Sequence, residues 1–194
     1  KVLKARLEDA AFFWREDLKE TLDSRVEALN KVVFLEGLGT MYQKVERISD
    51  LSEYIVKSLG GDAQSISDTI RAARLAKADL VTNMVYEFPE LQGVMGKEYA
   101  LRSGEKAIVA QAIYEHYLPR HAGDQLPQSL PGKALSFADK LDTLVGCFGI
   151  GIQPTGSQDP YALRRQALAI CNIILDYGPG VLLSDMIKQA YRGL

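Results

Sequence analysis

The residues with the greatest chemical capacity lie between Tyr114 and Leu144, in YEHYLPRHAGDQLPQSLPGKALSFADKLDTL. Both histidines of the chain, His116 and His121, fall in this stretch, together with Asp124, Asp139 and Asp142. Imidazole and carboxylate suit a divalent metal, so His116, His121, Asp124 and Asp139 form one candidate ligand set. The two histidines are separated by Pro119 and cannot share a helical face, so the loop would have to bring them together. The competing use of such acids is structural: Asp124 and Asp139 can pin a loop through hydrogen bonds to backbone amides.

Other catalytic arrangements have weaker support. No serine sits in a Gly-x-Ser-x-Gly elbow, and neither cysteine has an evident base beside it. The glycine-rich run from Gly149 to Gly156 lacks the preceding strand and the lysine of a phosphate loop, and reads as a helix connector. Candidate contacts for nucleic acid are Arg120, Lys140, the pair Arg164–Arg165, where neighbouring Tyr161 adds a ring able to stack on a base, and the pair Lys44–Arg47 on a predicted helix. The formal charge of −2 opposes wholesale nucleic-acid binding but leaves room for a local basic face.

The elements that must position these residues are helical. The 194 residues are enough for one domain with a sizeable core, and 47% apolar with 25% charged residues is ordinary for a globular chain. Apolar spacing predicts helices over 1–18, 40–59 with Thr40 as cap, 65–88, 89–102, 105–117, 134–148, 159–177 and 181–191. A capping box at Ser24 and Glu27 suggests a short helix through Leu29, while Val32-Val33-Phe34 leaves strand and extended link open. Lys44 and Arg47 are assigned to polar faces, Asp17 to a polar helix end, and Arg74 as partner of a partly buried Asp79. The fold expected is all-α, a compact multi-helix bundle. Cys147 and Cys171 read as small buried hydrophobes, fitting a reducing compartment. There is no membrane-length apolar run and no signal-like start. A chain that begins inside a charged helical pattern is expected to be a piece of a longer one.

Several long words carry a resemblance. VVFLEGLGTMYQKVERI, LAKADLVTNMVYEFPELQGVMGKEYAL, EHYLPRHAGDQLP, ADKLDTLVGCFGIG and PTGSQDPYALRRQAL, in this order, resemble the β subunit of bacterial heterotetrameric glycyl-tRNA synthetase. The resemblance implies that the piece is the central portion of that subunit. It further implies a cytoplasmic complex that attaches glycine to its tRNA using ATP and Mg2+, with an α subunit holding the adenylate-forming site. Partners would then be the α subunit, glycine tRNA and the rest of the β subunit, with no cofactor in this piece and no membrane.

The order His116, Gly123-Asp124, Leu126-Pro127 and Ala138-Asp139-x-Leu141-Asp142 also resembles, more distantly, the HD superfamily of helical metal phosphohydrolases. Asp139 falls where that superfamily has its last metal-ligating aspartate. Thr40-Met41-Tyr42-Gln43 lacks the first histidine, however, and Leu75-Ala76-Lys77-Ala78-Asp79 stands where adjacent His-Asp would. A lysine there repels a dication. The resemblance therefore implies one HD-like domain over 1–194, with 1–35 as a lead-in helical segment. That domain would keep the scaffold with a degenerate metal site and serve tRNA docking and subunit architecture. The alternatives are an active HD-type phosphohydrolase using His116, His121, Asp124 and Asp139, or a purely structural spacer.

Overall fold

A computed structural model describes residues 2–156, 158–177 and 182–194, apart from the side chain of Val2. The α-helices among them are α1 (Val2–Asp17), α2 (Met41–Ser58), α3 (Ala63–Leu75), α4 (Asn83–Glu87), α5 (Val94–Arg102), α6 (Ala107–Glu115), α7 (Leu130–Gly149), α8 (Leu163–Tyr177) and α9 (Leu183–Arg192). Two short strands, β1 (Val33–Leu35) and β2 (Gly39–Thr40), pair antiparallel and turn the chain into α2. This decides the open reading of Val32–Phe34 in favour of a strand edge.

Helix α2 starts at a complete capping box. The Thr40 side chain accepts from the Gln43 amide, and the Gln43 side chain accepts from the Thr40 amide. Its apolar face, with Val45, Ile48, Leu51 and Ile55, packs against α3 and α7. Helix α7 lies at the centre. It touches α2, α3, α6, α8 and α9 and is buried around most of its circumference, as a helix surrounded by others must be. Ser129 caps it by accepting from the Gly132 amide, and Pro131 sits in its first turn.

The helix expected over 65–88 is three pieces. After α3 the chain tightens into a 3-10 turn at Ala78–Val81 and restarts as α4, capped by the Thr82 hydroxyl. The segment 89–102 also divides, into a 3-10 turn at Pro89–Leu91 and α5. Both breaks serve Asp79. Its side chain is wholly buried and accepts from the Gly93 amide at 2.6 Å and the Gly96 amide at 3.1 Å. Gly93 reaches that position with φ +79°, and a Cβ on Gly96 would meet Ile113 Cγ2 at 2.8 Å. Arg74 is not the partner of Asp79; it points outward and donates to Asp23. The 23–31 segment is 3-10, with no side-chain cap, in place of the capped short helix.

One further expectation changes. Cys147 is buried, but Cys171 is exposed, and both are free thiols. The helix start expected at 181 lies outside the described residues; Asp159, where the preceding helix is expected to begin, caps α8 by accepting from the Leu163 and Arg164 amides.

Asp17 is the clearest departure from a polar helix end. It is 1% exposed. It accepts from the Asn83 amide, the Asn83 side chain and the Met84 amide at 2.9 Å each, and from the Tyr99 hydroxyl at 2.8 Å. One carboxylate thus ties the end of α1 to α4 and α5. Asp17→Ala leaves several buried donors unpaired and should lower unfolding free energy by about 3 kcal/mol or more, with Asp17→Asn intermediate. Urea unfolding of the three proteins checks this; a change near zero for Asp17→Ala contradicts it.

Candidate functional site

Four elements converge on Asp139 of α7. Lys44 comes from α2, Lys77 from the turn after α3, and His116 from the end of α6. The Lys77 ammonium donates to Asp139 Oδ2 at 2.9 Å and contacts His116 Nε2 at 2.9 Å. Lys44 Nζ lies 3.1 Å from Asp139 Oδ1 and 2.9 Å from Asp142 Oδ2, and donates to the Thr143 hydroxyl at 2.9 Å. Arg47 Nε donates to the other oxygen of Asp142 at 2.6 Å. Lys44 and Arg47, assigned to polar faces of α2, are therefore internal partners of α7.

The tautomer of His116 follows from its neighbours. Nδ1 faces the Ile113 carbonyl oxygen, an acceptor, so it carries the hydrogen. Nε2 is then the lone pair that accepts from Lys77. Burial, reinforced by the Lys77 charge, pushes the His116 pKa well below its ordinary 6.5. The imidazole is neutral and completely buried.

The two lysines differ for a legible reason. Burial lowers both, but Lys44 faces two carboxylates and ends above its usual pKa. Lys77 faces one carboxylate and a neutral ring, has Lys44 nearby, and ends below. Burial alone would raise Asp139; Lys77 and Lys44 instead hold it well below the usual carboxylate range. Burial raises Asp79 to about 6, opposed by its Gly93 and Gly96 hydrogen bonds and by Lys77.

Of the candidate metal ligands, only His116 and Asp139 come together, and an ammonium stands between them. His121 is exposed and faces the Ala122 carbonyl. Asp124 accepts from the Arg120 and Gln125 amides, which is the loop-pinning use. Among the described residues no group of three or more His, Cys, Asp or Glu side chains could hold a metal. The donor set around Lys77 suits a cation already supplied by the chain.

The candidate basic residues also separate. Lys140 is 6% exposed and donates to the His116 and Leu118 carbonyls and the Ser136 hydroxyl, so it is not a surface cation. Burial lowers its pKa to about 7. Arg120, Arg164 and Arg165 are exposed. Arg120 is steered by Asp124 and the Tyr114 hydroxyl. Arg120 and Arg165, with Tyr161, line one cavity of about 480 Å3 beside the buried lysines. Sequence reasoning placed Lys44 wrongly, although a signal existed: Lys44, Ile48, Leu51 and Ile55 recur at helical spacing on one face.

Comparison with known proteins adds the family. The family model described as glycyl-tRNA synthetase beta subunit matches residues 1–194. The chain is 60% identical over 193 residues to the glycine–tRNA ligase beta subunit of Desulforamulus reducens, covering 100% of this chain and 28% of that protein. It is 59% identical over 190 residues to the beta subunit of Clostridioides difficile, covering 98% and 28%. With the Synechocystis beta subunit it shares 52% over 192 residues, covering 99% and 27%. The chain therefore spans little more than a quarter of these relatives.

Lys77→Met should lower stability by about 3 kcal/mol, because Asp139 loses its better-directed cation and His116 its donor. The same change should move the His116 pKa upward, by removing the adjacent charge. In the unaltered protein the unfolded chain binds the His116 proton near 6.5 and the folded chain does not. Stability contributed here is therefore present above pH 6.5 and falls as the pH drops below it. NMR titration of the imidazole checks both points; a native midpoint near 6.5 contradicts the assignment.

Proposed function

Since the chain belongs to the glycyl-tRNA synthetase beta subunit family, we propose that it is the central portion of such a subunit and serves ATP-dependent glycylation of tRNA by docking the tRNA. The relatives are named glycine–tRNA ligase beta subunits, and a chain over half identical to them along its length shares their work. The whole assembly then includes an α subunit, uses ATP and Mg2+, and works in the cytoplasm; no helix among the described residues is long and apolar enough to cross a membrane. Within it, residues 1–194 form one HD-like helical domain.

The observation that carries docking is the grouping of Arg120, Tyr161 and Arg165 around one cavity, with exposed Arg164 alongside. Guanidinium groups suit phosphate and an exposed ring suits an unpaired base. Asp159 occupies the α8 amides and presents Arg164 and Arg165 from the first turn of that helix. The centre beneath is better suited to architecture than to hydrolysis. The Lys77 ammonium takes the position between His116 and Asp139 that a dication would need, so the residues present do not fit a metal phosphohydrolase. This agrees with a degenerate HD-type site.

Arg164→Ala/Arg165→Ala in the full-length β subunit should weaken glycine-tRNA binding. It should also reduce the slope of log affinity against log salt by up to about 2, with roughly 0.7–0.9 lost per phosphate contact. Filter binding at several salt concentrations measures both. An unchanged affinity at low salt removes this surface from tRNA docking and leaves a structural spacer.

A further inference from the structure

Helix α8 carries more apolar surface than its neighbours cover. Ile170 and Ile173 face inward and are 2% and 1% exposed. Leu168, Cys171 and Leu175 recur at i, i+3 and i+7 on the opposite side of the helix. There Leu168 is 53% and Leu175 79% exposed, and Cys171 is an exposed free thiol. A helix apolar around most of its circumference is one that other elements surround, as they surround α7. The pattern of α8 therefore calls for a further neighbour on its outer side.

Cys171 also lines a groove of about 470 Å3 between α7, α8 and α9. Leu141 and Leu144 of α7 reach it from the core, whereas Phe148 of α7 and Ile187 and Tyr191 of α9 line it while 49%, 41% and 67% exposed. No charged side chain lines it among the described residues, and its polar side-chain groups there are the Cys171 thiol and the Tyr191 hydroxyl. A small-molecule site needs a few convergent polar groups to orient its ligand, and this groove lacks them. A contiguous apolar surface of this kind marks contact with another part of a protein.

The chemistry of the walls narrows the occupant. Three helices offer no free strand edge, so the backbone laid against them must satisfy its own hydrogen bonds, which selects a helix. Leu183, Ile187 and Tyr191 on α9, and Leu141, Val145 and Phe148 on α7, form rows at helical spacing into which the side chains of such a helix can pack. The chain accounts for 28% of the Desulforamulus reducens subunit, so nearly three quarters of a polypeptide of that length lies outside these residues. A segment tethered on the same chain meets the groove at an effective concentration on the order of millimolar, which a separate protein rarely reaches. We infer that the α7–α8–α9 groove holds an amphipathic helix from another portion of the same β subunit, its apolar stripe covering Phe148, Cys171 and Ile187. This rests on the reading of the chain as one portion of a longer subunit and is independent of tRNA docking.

Cys171 reports on the cover directly. In the full-length β subunit without its α subunit, peptide mapping after N-ethylmaleimide treatment should find Cys171 alkylated about tenfold or more slowly than in the urea-unfolded subunit, since a covered thiol reacts only through local opening. Ile187→Glu and Leu168→Glu change exposed positions and spare the core. Each sets an unpaired charge against the apolar cover and should speed the alkylation about tenfold or more, with circular dichroism showing that the subunit stays folded. Alkylation of the native subunit as fast as of the unfolded one overturns the inference. Protection that appears only when the α subunit is added assigns the groove to that subunit, and protection lost on dilution assigns it to a second copy; either result overturns it as well. So does protection that neither folded variant relieves. Binding of glycine tRNA to the same unaltered subunit, measured in parallel, tests the docking reading separately: salt-sensitive binding beside an open groove rejects the groove's occupant and leaves docking standing.

Discussion

Asp139 is shared by two buried ammonium groups, and much of the interior follows from that constraint. Removing lysine from water is expensive, and the attraction between opposite charges in a poorly polarisable interior offsets the cost only with close, well-satisfied geometry. Lys44 meets this requirement through Asp139, Asp142 and Thr143, and Lys77 through Asp139 and the His116 lone pair. The partners come from α2, from the turn after α3, from the end of α6 and from α7. Those elements cannot shift independently without stranding a charge. The network specifies how the helices sit against α7 more than it adds net stability.

The same arrangement changes the chemistry available at the centre of the bundle. A histidine and an aspartate facing one point would attract a cation from solution. Lys77 supplies that cation covalently, on a side chain that cannot leave. The surplus positive charge of Lys77, Lys44 and Lys140 then makes the neighbouring cavity hospitable to anions, and exposed Arg120 and Arg165 extend that preference to the surface. The ammonium of Lys77 thus makes this centre part of the architecture that holds α2, α6 and α7 together.

The sequence was most legible where one force acted alone. Helix α2 could be read from its apolar stripe and from Thr40, because capping and amphipathicity agree there. Helix α7 was legible from its apolar spacing over 134–148, but not its first turn from Leu130, which the Ser129 cap and Pro131 set. The segment 65–88 was misread because its helical spacing is real, yet burying Asp79 against the Gly93 and Gly96 amides requires breaks that periodicity does not record. Asp17, Lys44 and Lys140 were read as surface charges because residue type usually predicts exposure. Each is buried with partners more than twenty residues away in sequence, which no local rule supplies. Lys77 was legible only through the family pattern it interrupts. The convergence of Arg120 with Arg165 likewise depends on α8 folding back beside the loop after α6.

The most direct test of a centre closed by its own ammonium is the metal content of the full-length subunit purified without chelator. The account predicts manganese, iron and zinc each well below one equivalent per chain, unchanged by His116→Ala or Asp139→Ala. One equivalent of any of them, lost when either residue is replaced, would contradict it.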